Sequence, residues 1–233
     1  MAFLGEMAAR IAHNVKNPLS SMKTLVQLLE EDASLPDRAR NECRLITGEI
    51  DRLNSNISQV LRYAKPARDT DRPADLQAVV HRIVALMRPE AERRGVRLEV
   101  DSTDNVTLVE GGEEAASDIV SNLVVNALEA SSSGGTVRVC LASNPGAKNG
   151  AELIVEDDGP GIPGDVKERI FQPFFTTRAA GTGLGLAIVA RRAEEIGGAA
   201  ECSSPVTGQG GARFVVHFRA ARLAGSGDRG HGQ

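Results

Sequence analysis

The sequence of 233 residues contains no tryptophan, and aromatic residues together make up only 3% of it. Its cores must therefore be built from Leu, Val, Ile and Ala, a mixture that suits α or α/β packing. Cysteine is also scarce, since Cys43, Cys140 and Cys202 lie far apart and form neither a CxxC nor a Cys/His spacing. We therefore predict reduced packing residues, which excludes a disulfide framework and a cysteine-based zinc site.

A basic cluster and a long apolar run are missing as well. The formal net charge is −4, and Lys and Arg are interspersed with acids, which argues against nucleic acid as a partner. No stretch approaches the ~20 apolar residues that span a bilayer, and no leader-like segment opens the sequence. We expect a cytoplasmic chain, or the cytoplasmic portion of a larger protein, with no membrane segment of its own.

The first quarter of the sequence has the spacing of helices. Apolar residues recur at intervals of three or four from Phe3 to Glu31, and Pro36 is placed to open a second helix near Asp37. In that second helix an a/d spacing continues without a break to Ala64. A lone hairpin of this size buries too little apolar surface, so we predict that two copies of residues 1–65 pair into a four-helix bundle.

The remainder predicts a second domain of α+β class. The polar segment 66–75 contains Pro66 and Pro73 and is predicted to be a linker. Residues 76–221 mix helical and strand patterns, which indicates an α/β sandwich with helices on one face of a sheet. Helices are expected at 76–94, 113–130, 166–170 and 184–196, and strands at 96–100, 107–109, 137–141, 153–156, 199–203 and 213–218. The Gly-rich segment 222–233 is predicted to be a disordered tail.

A polar ridge runs along the second helix of this domain. Asp118, Asn122 and Asn126 lie at positions i, i+4 and i+8, so they share one helix face among apolar neighbours. Such a ridge is costly unless it faces water or a ligand. Its carboxylate and amide oxygens suit Mg²⁺, which borrows further ligands from substrate phosphates, although a plain solvated face would give the same pattern.

Glycines follow a strand in VEDDGPGIPG, residues 155–164. Gly159, Gly161 and Gly164 match the G-x-G-x-x-G fingerprint of dinucleotide-binding proteins, but two prolines remove amide donors and the segment lies late in the chain. We interpret the segment as a turn that brings backbone close to a flat base. Asp157 is then placed to accept a hydrogen bond from an amino group.

A second set of glycines precedes an apolar helix. Gly181, Gly183 and Gly185 would leave unhindered amides at a helix N-terminus, which is an anion site suited to a triphosphate. The small residues of TTRAAGT, before the helix, are typical of a lid. Ordinary turn glycines would explain any one of these motifs, but they explain the motifs poorly when they occur together in this order.

Taken in order, the motifs resemble those of sensor histidine kinases, and the resemblance covers nearly the whole chain. AHNVKNPLSS is similar to the H-box, NLVVNALEA to the N-box, VEDDGPGIP and GTGLGLAIV to the two glycine boxes, and IFQPFFTTR to the F-box. The NALEA sequence and the short lid are nearest to the nitrogen-regulation, NtrB-like branch. The resemblance implies a dimerisation and histidine-phosphotransfer hairpin followed by an ATP-binding domain of the GHKL, or Bergerat, type.

The resemblance also implies a role for particular residues. His13 is the expected phosphoacceptor, with Asn14 and Asn17 as further catalytic residues. Asn126 is the expected Mg²⁺ ligand, with Asn122 beside it. The other expected nucleotide-binding residues are Asp157 at the adenine amino group, Gly159 and Gly161 at the adenine pocket, and Arg178, Gly181, Thr182, Gly183, Leu184 and Gly185 at the lid and phosphates.

The implied activity is that of an ATP:protein-L-histidine phosphotransferase acting within a homodimer. It phosphorylates His13 and passes the phosphoryl group to an aspartate of a response regulator. Asn17 matches the position where Thr or Asn orients water in relatives that dephosphorylate the regulator, so a phosphatase activity is also open.

Two positions depart from the family pattern. Asn14 stands where Glu or Asp usually follows the phosphoacceptor, and Ala212 stands where many relatives carry a small hydroxyl residue. The first departure leaves an alternative, an ATP-binding dimeric pseudokinase, scaffold or phosphatase-biased regulator without efficient autokinase activity. A GHKL ATPase of the chaperone or mismatch-repair type is disfavoured, because those proteins lack the H-box hairpin.

Overall fold

The computed structural model describes residues 2–32, 34–65, 72–102, 108–144, 150–178, 181–206 and 210–221. The chain divides into two compact units, residues 1–66 with 176–184, and residues 67–175 with 185–233. We call the first the hairpin unit and the second the sheet unit. The predicted tail, 222–233, and residues 66–71 of the predicted linker lie outside the described residues, and the predicted domain boundaries stay predictions.

In the described residues 2–32 and 34–65, the hairpin unit forms two long helices. Helix α1 spans Ala2–Glu30, with Pro18 inside it, and helix α2 spans Asp37–Ala64 directly after Pro36. The two predicted helices are therefore present. Ion pairs join them, from Arg44 Nε to Glu30 Oε1 at 2.8 Å beside the turn and from Lys23 Nζ to Asp51 Oδ1 at 2.6 Å further along the helices.

The hairpin leaves much of its apolar surface uncovered. Within residues 12–32 and 34–65, the buried hydrophobic residues are Ala12, Cys43 and Ile50. Exposed apolar side chains instead form one stripe on each helix, in which every seventh residue is apolar. These stripes are Val15, Met22 and Leu29 on α1, and Ile46, Leu53 and Val60 on α2. A seven-residue apolar repeat is the pattern by which one helix packs against another.

Among its described residues, the sheet unit has three α-helices and a five-stranded mixed sheet. The helices are α3 (Leu76–Arg94), α4 (Gly112–Ala130) and α5 (Gly185–Glu195), with a 3₁₀ turn at Lys167–Arg169. The sheet strands are β2 (Arg97–Ser102), β4 (Thr136–Asn144), β5 (Gly150–Asp157), β6 (Ala199–Ser203) and β7 (Ala212–Phe218). Their order is β2-β4-β5-β7-β6, in which β2 and β4 are parallel and the other neighbours antiparallel.

The predicted helical hairpin and α/β sandwich are thus confirmed, and the differences are local. A short strand, β1 (Ala74–Asp75), lies inside the segment predicted to be a linker and pairs with β3 (Leu108–Val109). Asp75 then caps α3, since its carboxylate accepts a hydrogen bond from Ala78 N at 2.9 Å. The pairing joins residues more than thirty positions apart, which a local pattern does not reveal.

The core of the sheet unit lies between the helices and one face of the sheet. Strand β7 shows the two-residue period clearly, because Ala212, Phe214, Val216 and Phe218 are buried and the residues between them are half-buried. Phe214 meets the Phe171 ring edge to face, with ring centroids 6.4 Å apart. Burial of each large apolar side chain stabilises the fold by roughly 1.5–3 kcal/mol.

The three cysteines are free thiols, as predicted. Burial raises the pKa of the Cys202 thiol to about 11, and burial also raises the pKa of Cys140. A raised pKa keeps both thiols protonated and unreactive, which fits packing roles. None of the described helices is long and apolar enough to cross a membrane.

Candidate functional site

In the sheet unit, α4 brings three of the predicted motifs into one row. A Cβ added to Gly185 would lie 3.3 Å from Asn122 Oδ1, and one added to Gly159 would lie 2.7 Å from the Ala130 carbonyl oxygen. The start of α5 therefore meets α4 at Asn122, and the first glycine turn meets α4 at its C-terminal end. Asn126 lies between these contacts, which are eight residues or about 12 Å apart along the helix.

The orientation of the Asn122 amide is fixed by its own helix. Its Nδ2 donates to the Asp118 carbonyl oxygen at 2.7 Å. Its Oδ1 therefore points away from that carbonyl, towards the first residue of α5. Asn122 and Asn126 are both half-buried, so amide oxygen is presented along the edge where α4 meets Gly185.

Asp157 ends β5 and holds the turn that follows it. Its side chain is 6% exposed, and Oδ1 accepts a hydrogen bond from Gly159 N at 3.0 Å. This hydrogen bond fixes the orientation of the Asp157 carboxylate at the start of the turn. Gly161 has a φ of +81°, a left-handed conformation that favours glycine and lets the chain pass close to Ser204.

Ser204 and Gly211 complete this turn, and sequence reasoning missed both. The Ser204 hydroxyl donates to the Gly211 carbonyl and accepts from Ile162 N, each at 2.8 Å. Gly211 N in turn donates to the Gly159 carbonyl at 2.8 Å. The predicted departure at Ala212 lies next to this network, because Ala212 pairs with Asp157 in the sheet and is buried.

A cavity of about 450 Å³ adjoins the Asp157 end of the sheet. Its volume lies within the usual range of small-molecule sites. The lining residues carry both signs of charge and include two glycines; they are Arg97, Thr136, Arg138, Glu156, Asp157, Asp158, Val206, Gly210 and Gly211.

The polar ridge of α4 is buried at one end. Asp118 is 7% exposed, and its Oδ2 accepts from Arg192 Nε of α5 at 2.9 Å. The prediction that this carboxylate faces water or a ligand was therefore wrong, because a buried arginine 74 positions later in the sequence takes the place of solvent. Asn122 and Asn126, both half-buried, are the less buried part of the ridge.

The F-box segment contains the one non-glycine residue with positive φ among the described residues, Phe174 at +65°. A bulky residue rarely takes this conformation, and strain of this kind occurs where a segment has a function. The Phe174 side chain is also 67% exposed. Its neighbour Phe175 is held instead, with the Arg169 guanidinium 4.4 Å from the ring centroid.

The predicted lid belongs to the hairpin unit in the structure. Within the described residues of 176–184, Arg178 N donates to Thr176 Oγ1 at 3.1 Å, and Gly181 N donates to the Arg178 carbonyl oxygen at 3.2 Å. The Thr182 hydroxyl donates to Gln59 Oε1 of α2. The predicted contacts of Arg178 and Thr182 with phosphates stay predictions.

The last lid residues have distinct environments. Gly183 has a φ of +67°, a conformation available to glycine without strain, whereas Leu184 is 1% exposed and buried. Leu184 N donates to Thr182 Oγ1 at 3.3 Å. The predicted roles of Gly181, Gly183 and Leu184 as hinge and phosphate contacts likewise stay predictions.

His13 lies on an exposed face of α1, together with Asn14 and Asn17. The Asn17 amide nitrogen is 3.5 Å from His13 Nδ1, a long contact one helical turn away. Asn17 therefore lies beside the imidazole. The Ser20 and Ser21 hydroxyls, which follow Pro18, donate to the carbonyl oxygens of Lys16 and Asn17 one turn earlier.

Two family models match the chain, one in each half. Residues 3–68 match the His Kinase A (phospho-acceptor) domain, and residues 111–222 match the histidine kinase-, DNA gyrase B-, and HSP90-like ATPase family.

Among curated relatives, the sensor histidine kinase ZraS of Escherichia coli O157:H7 is 35% identical over 213 residues, which cover 91% of this chain and 45% of the relative. The chain spans less than half the length of that relative.

Solved structures show the same fold. Full-length ShkA in complex with AMPPNP has a TM-score of 0.76 at 27% identity, over 94% of this chain and 47% of that chain. The histidine kinase ThkA in complex with the response regulator protein TrrA has a TM-score of 0.61 at 24% identity, over 93% of this chain and 62% of that chain.

These matches and the site together define a phospho-acceptor hairpin followed by a GHKL-type ATPase domain. The chain belongs to the sensor histidine kinase family.

Proposed function

We propose that this chain is the catalytic core of a sensor histidine kinase that uses ATP to phosphorylate itself on His13. The observation that carries the proposal is the row along α4. Along about 12 Å of this helix lie Asn122 and Asn126, together with the two contacts that α4 makes, one with the first residue of α5 and one with the Gly159 turn. That row offers a carboxylate at one end for an adenine amino group and backbone amides at the other for phosphates.

The site residues follow from this arrangement. Asp157 holds the adenine amino group, with Gly159 and Gly161 shaping the turn around the base. Gly185 and the N-terminus of α5 face the phosphates, because unpaired amides and the helix dipole favour negative charge there. The lid residues Arg178, Gly181, Thr182, Gly183 and Leu184 supply further phosphate contacts.

In the proposed reaction, the lone pair of His13 Nε2 attacks the γ-phosphorus. The bond from phosphorus to the β,γ-bridging oxygen breaks, and ADP leaves with that electron pair. Attack by Nε2 requires the imidazole proton on Nδ1. Asn14, at the position where relatives carry an acid, can accept this proton's hydrogen bond at its amide oxygen, but as a neutral group it stabilises the positive charge on the ring less than a carboxylate would. The proton then passes to water.

Magnesium fits the donor set of α4. The described residues hold no group of three or more His, Cys, Asp or Glu that would bind a metal unaided. Asn126, with the Asn122 oxygen beside it, offers the hard oxygen ligands that Mg²⁺ accepts when phosphates supply the rest. When bound, the cation neutralises charge on the phosphates, and the amides of α4 fix its place.

The partners of the proposed reaction are a second copy of this chain and a response regulator. The exposed seven-residue stripes on α1 and α2 support pairing into a four-helix bundle. The phosphoryl group then passes from His13 to an aspartate carboxylate of the regulator's receiver domain, and ThkA, which has this fold, was solved with a response regulator protein. ATP is supplied in the cytoplasm, where we place the reaction. Asn17 lies where it can also orient a water for dephosphorylation of the regulator.

Labelling with γ-³²P ATP and Mg²⁺ tests the proposal directly. The wild-type chain should gain acid-labile, alkali-stable phosphate, and His13→Gln should gain none. The matched control is His81→Gln, an exposed histidine on α3, which should label like the wild type.

A second arm of this experiment tests Asn14. Asn14→Glu restores a carboxylate beside the phosphoacceptor and should raise the labelling rate at least about tenfold. The upper limit for this gain is ~10⁴-fold, the rate lost when the acid partner of a catalytic histidine is neutralised in a serine protease. Label that persists in His13→Gln, or nucleotide binding without label in both the wild type and Asn14→Glu, would contradict the proposal.

A further inference from the structure

An arginine is buried where the two nucleotide-site helices meet. Arg192 of α5 is 1% exposed, yet it carries a full charge. Its Nε donates to Asp118 Oδ2 of α4 at 2.9 Å, and its Nη1 donates to Glu195 Oε2 at 2.6 Å. Glu195 also accepts from Arg191 Nε at 2.9 Å, so the ion pair belongs to a small network.

Burial of this charge is costly, and the network offsets the cost. Burial alone would lower the pKa of the Arg192 guanidinium, but the hydrogen bonds and charges of Glu195 and Asp118 more than reverse that effect and raise it. Buried ion pairs of this kind add little stability over a well-packed apolar pair. What they supply instead is directional geometry, because a guanidinium fork bonds its partners in one arrangement.

This geometry is connected to the nucleotide site within one turn of α4. The same Asp118 that binds Arg192 uses its backbone carbonyl to hold the Asn122 amide at 2.7 Å. Asn122 Oδ1 in turn lies against Gly185, the first residue of α5 and two turns before Arg192. The helices therefore meet at two points, one at the ion pair and one at the proposed phosphate site.

We propose that Arg192 is a positioning residue for nucleotide binding. Its ion pair with Asp118 fixes the rotation and register of α5 on α4. It thereby fixes the position of the Gly185 backbone relative to the side-chain amides of Asn122 and Asn126, which together bind the phosphates. The inference rests on the proposed function, since it assigns Arg192 to the same nucleotide site. Arg192 itself is buried beneath that site and does not touch the nucleotide.

The experiment separates positioning from stability by replacing the pair with apolar side chains. Arg192→Met alone leaves Asp118 buried and unpaired, and should lower Tm by about 10 °C and weaken nucleotide binding. The double variant Asp118→Leu/Arg192→Met should recover most of the lost Tm. Its dissociation constant for Mg²⁺-ADP, measured by calorimetry at 15 °C on the full chain, should stay at least about fivefold above that of the wild type.

Arg192→Lys provides a second variant that is expected to fold. Lysine keeps the charge but loses the fork that bonds Asp118 and Glu195 together. We expect an unchanged far-UV circular dichroism spectrum and a threefold or greater rise in the Mg²⁺-ADP dissociation constant. The matched control is Arg82→Gln, which removes the exposed ion pair between Arg82 of α3 and Glu113 of α4 and should leave affinity within about twofold.

Wild-type affinity in the folded Arg192→Lys variant, or in a double variant that has recovered its Tm, overturns the inference and leaves Arg192 a structural residue. Weakened binding in the folded Lys variant with an unaltered Arg82→Gln control supports it. Failure of the wild-type chain to bind Mg²⁺-ADP would overturn the proposed function, and the positioning role with it. Binding by the wild type together with unchanged binding by the Lys variant defeats the positioning role alone.

Discussion

The two units of this chain satisfy their apolar residues differently. Within residues 12–32 and 34–65 the hairpin buries Ala12, Cys43 and Ile50. It exposes one apolar stripe on each helix, whose members recur every seven residues. The sheet unit buries a continuous core, formed by one face of the sheet and the helices that cover it.

This contrast teaches that the two units differ in what they need for stability. The sheet unit closes its core within one copy, whereas the hairpin needs a second surface to cover its stripes. Association is therefore expected to stabilise the hairpin through mass action, and to leave the intrinsic stability of the sheet unit unchanged. Changes confined to one unit should separate the two behaviours.

The largest expected effect is on the hairpin. Leu53→Glu places a charge on the exposed stripe of α2, and each dimer would carry the change twice. Because a buried leucine contributes roughly 1.5–3 kcal/mol and a charge must also be desolvated, we expect the dimer dissociation constant to rise at least ~100-fold. Analytical ultracentrifugation measures it.

The control for this change is Leu45→Glu, which alters a residue of α2 that is 75% exposed and lies off the seven-residue stripe. It should leave the dimer intact. If Leu53→Glu dissociates no more readily than Leu45→Glu, the stripe is not the dimer surface. Binding of Mg²⁺-ADP should be the same in both variants, because neither Leu53 nor Leu45 is among the residues proposed to contact the nucleotide.

The second effect is on the sheet unit. An alanine at Gly159 would bring Cβ to 2.7 Å from the Ala130 carbonyl and 2.9 Å from Asp157 Oδ1, so the turn must shift. We expect Gly159→Ala to cost about 2 kcal/mol, to lower the Tm of this unit by about 5 °C, and to weaken Mg²⁺-ADP binding about tenfold. Differential scanning calorimetry and titration calorimetry measure these changes.

Gly164 offers a matched glycine in the same motif, since an added Cβ there meets nothing within 4 Å. Gly164→Ala should change Tm and affinity little. Equal losses in the two variants would mean that the crowding at Gly159 is not what matters. The dimer dissociation constant should not move in either variant.

The smallest effect concerns an exposed ion cluster on α3. Hydrogen bonds from Arg93 and Arg94 lower the pKa of Glu90 to about 2 from an ordinary value of 4.5. A carboxylate with a lowered pKa stabilises the fold above its unfolded pKa, and this contribution is lost as the pH falls from about 4.5 to about 2. Glu90→Gln should therefore flatten the pH dependence of Tm in that window.

The change in Tm should be no more than about 1 °C, because the side chains are substantially exposed and solvent screens them. It should shrink further in 0.5 M NaCl, where the Debye length is only a few ångströms. Glu92→Gln, on the same helix, is the control. A pH profile of Glu90→Gln that matches the wild type would show that this cluster does not contribute.

Much of the fold was predictable because its signals are local. The a/d spacing of α2 and the two-residue period of β7 each lie within one element, so helices and strands could be placed close to their observed bounds. The N-box and the Gly159 turn were likewise readable as motifs. The contacts of α4 with the Gly159 turn and with Gly185 of α5 are visible only in the folded structure.

What escaped prediction depends on residues distant in the chain. The strand Ala74–Asp75 is defined by pairing with residues 108–109. Asp118 was expected to face water or a ligand, because its partner, Arg192, lies on another helix and leaves no sign in the local pattern. Ser204 has no motif of its own, and its hydrogen bonds form only where the loop after β5 meets the loop between β6 and β7. Long-range pairing of this kind leaves no period in the sequence.

The strand order also sets when the sheet can be completed. β7 lies between β5 and β6, and it is the partner of β6 in the described sheet. During synthesis, β5 must therefore keep an open hydrogen-bonding edge, and β6 must remain unpaired, until residues 212–218 have left the ribosome. An exposed strand edge invites pairing with other chains. The nascent chain is thus expected to be most prone to aggregation just before residues 212–218 emerge.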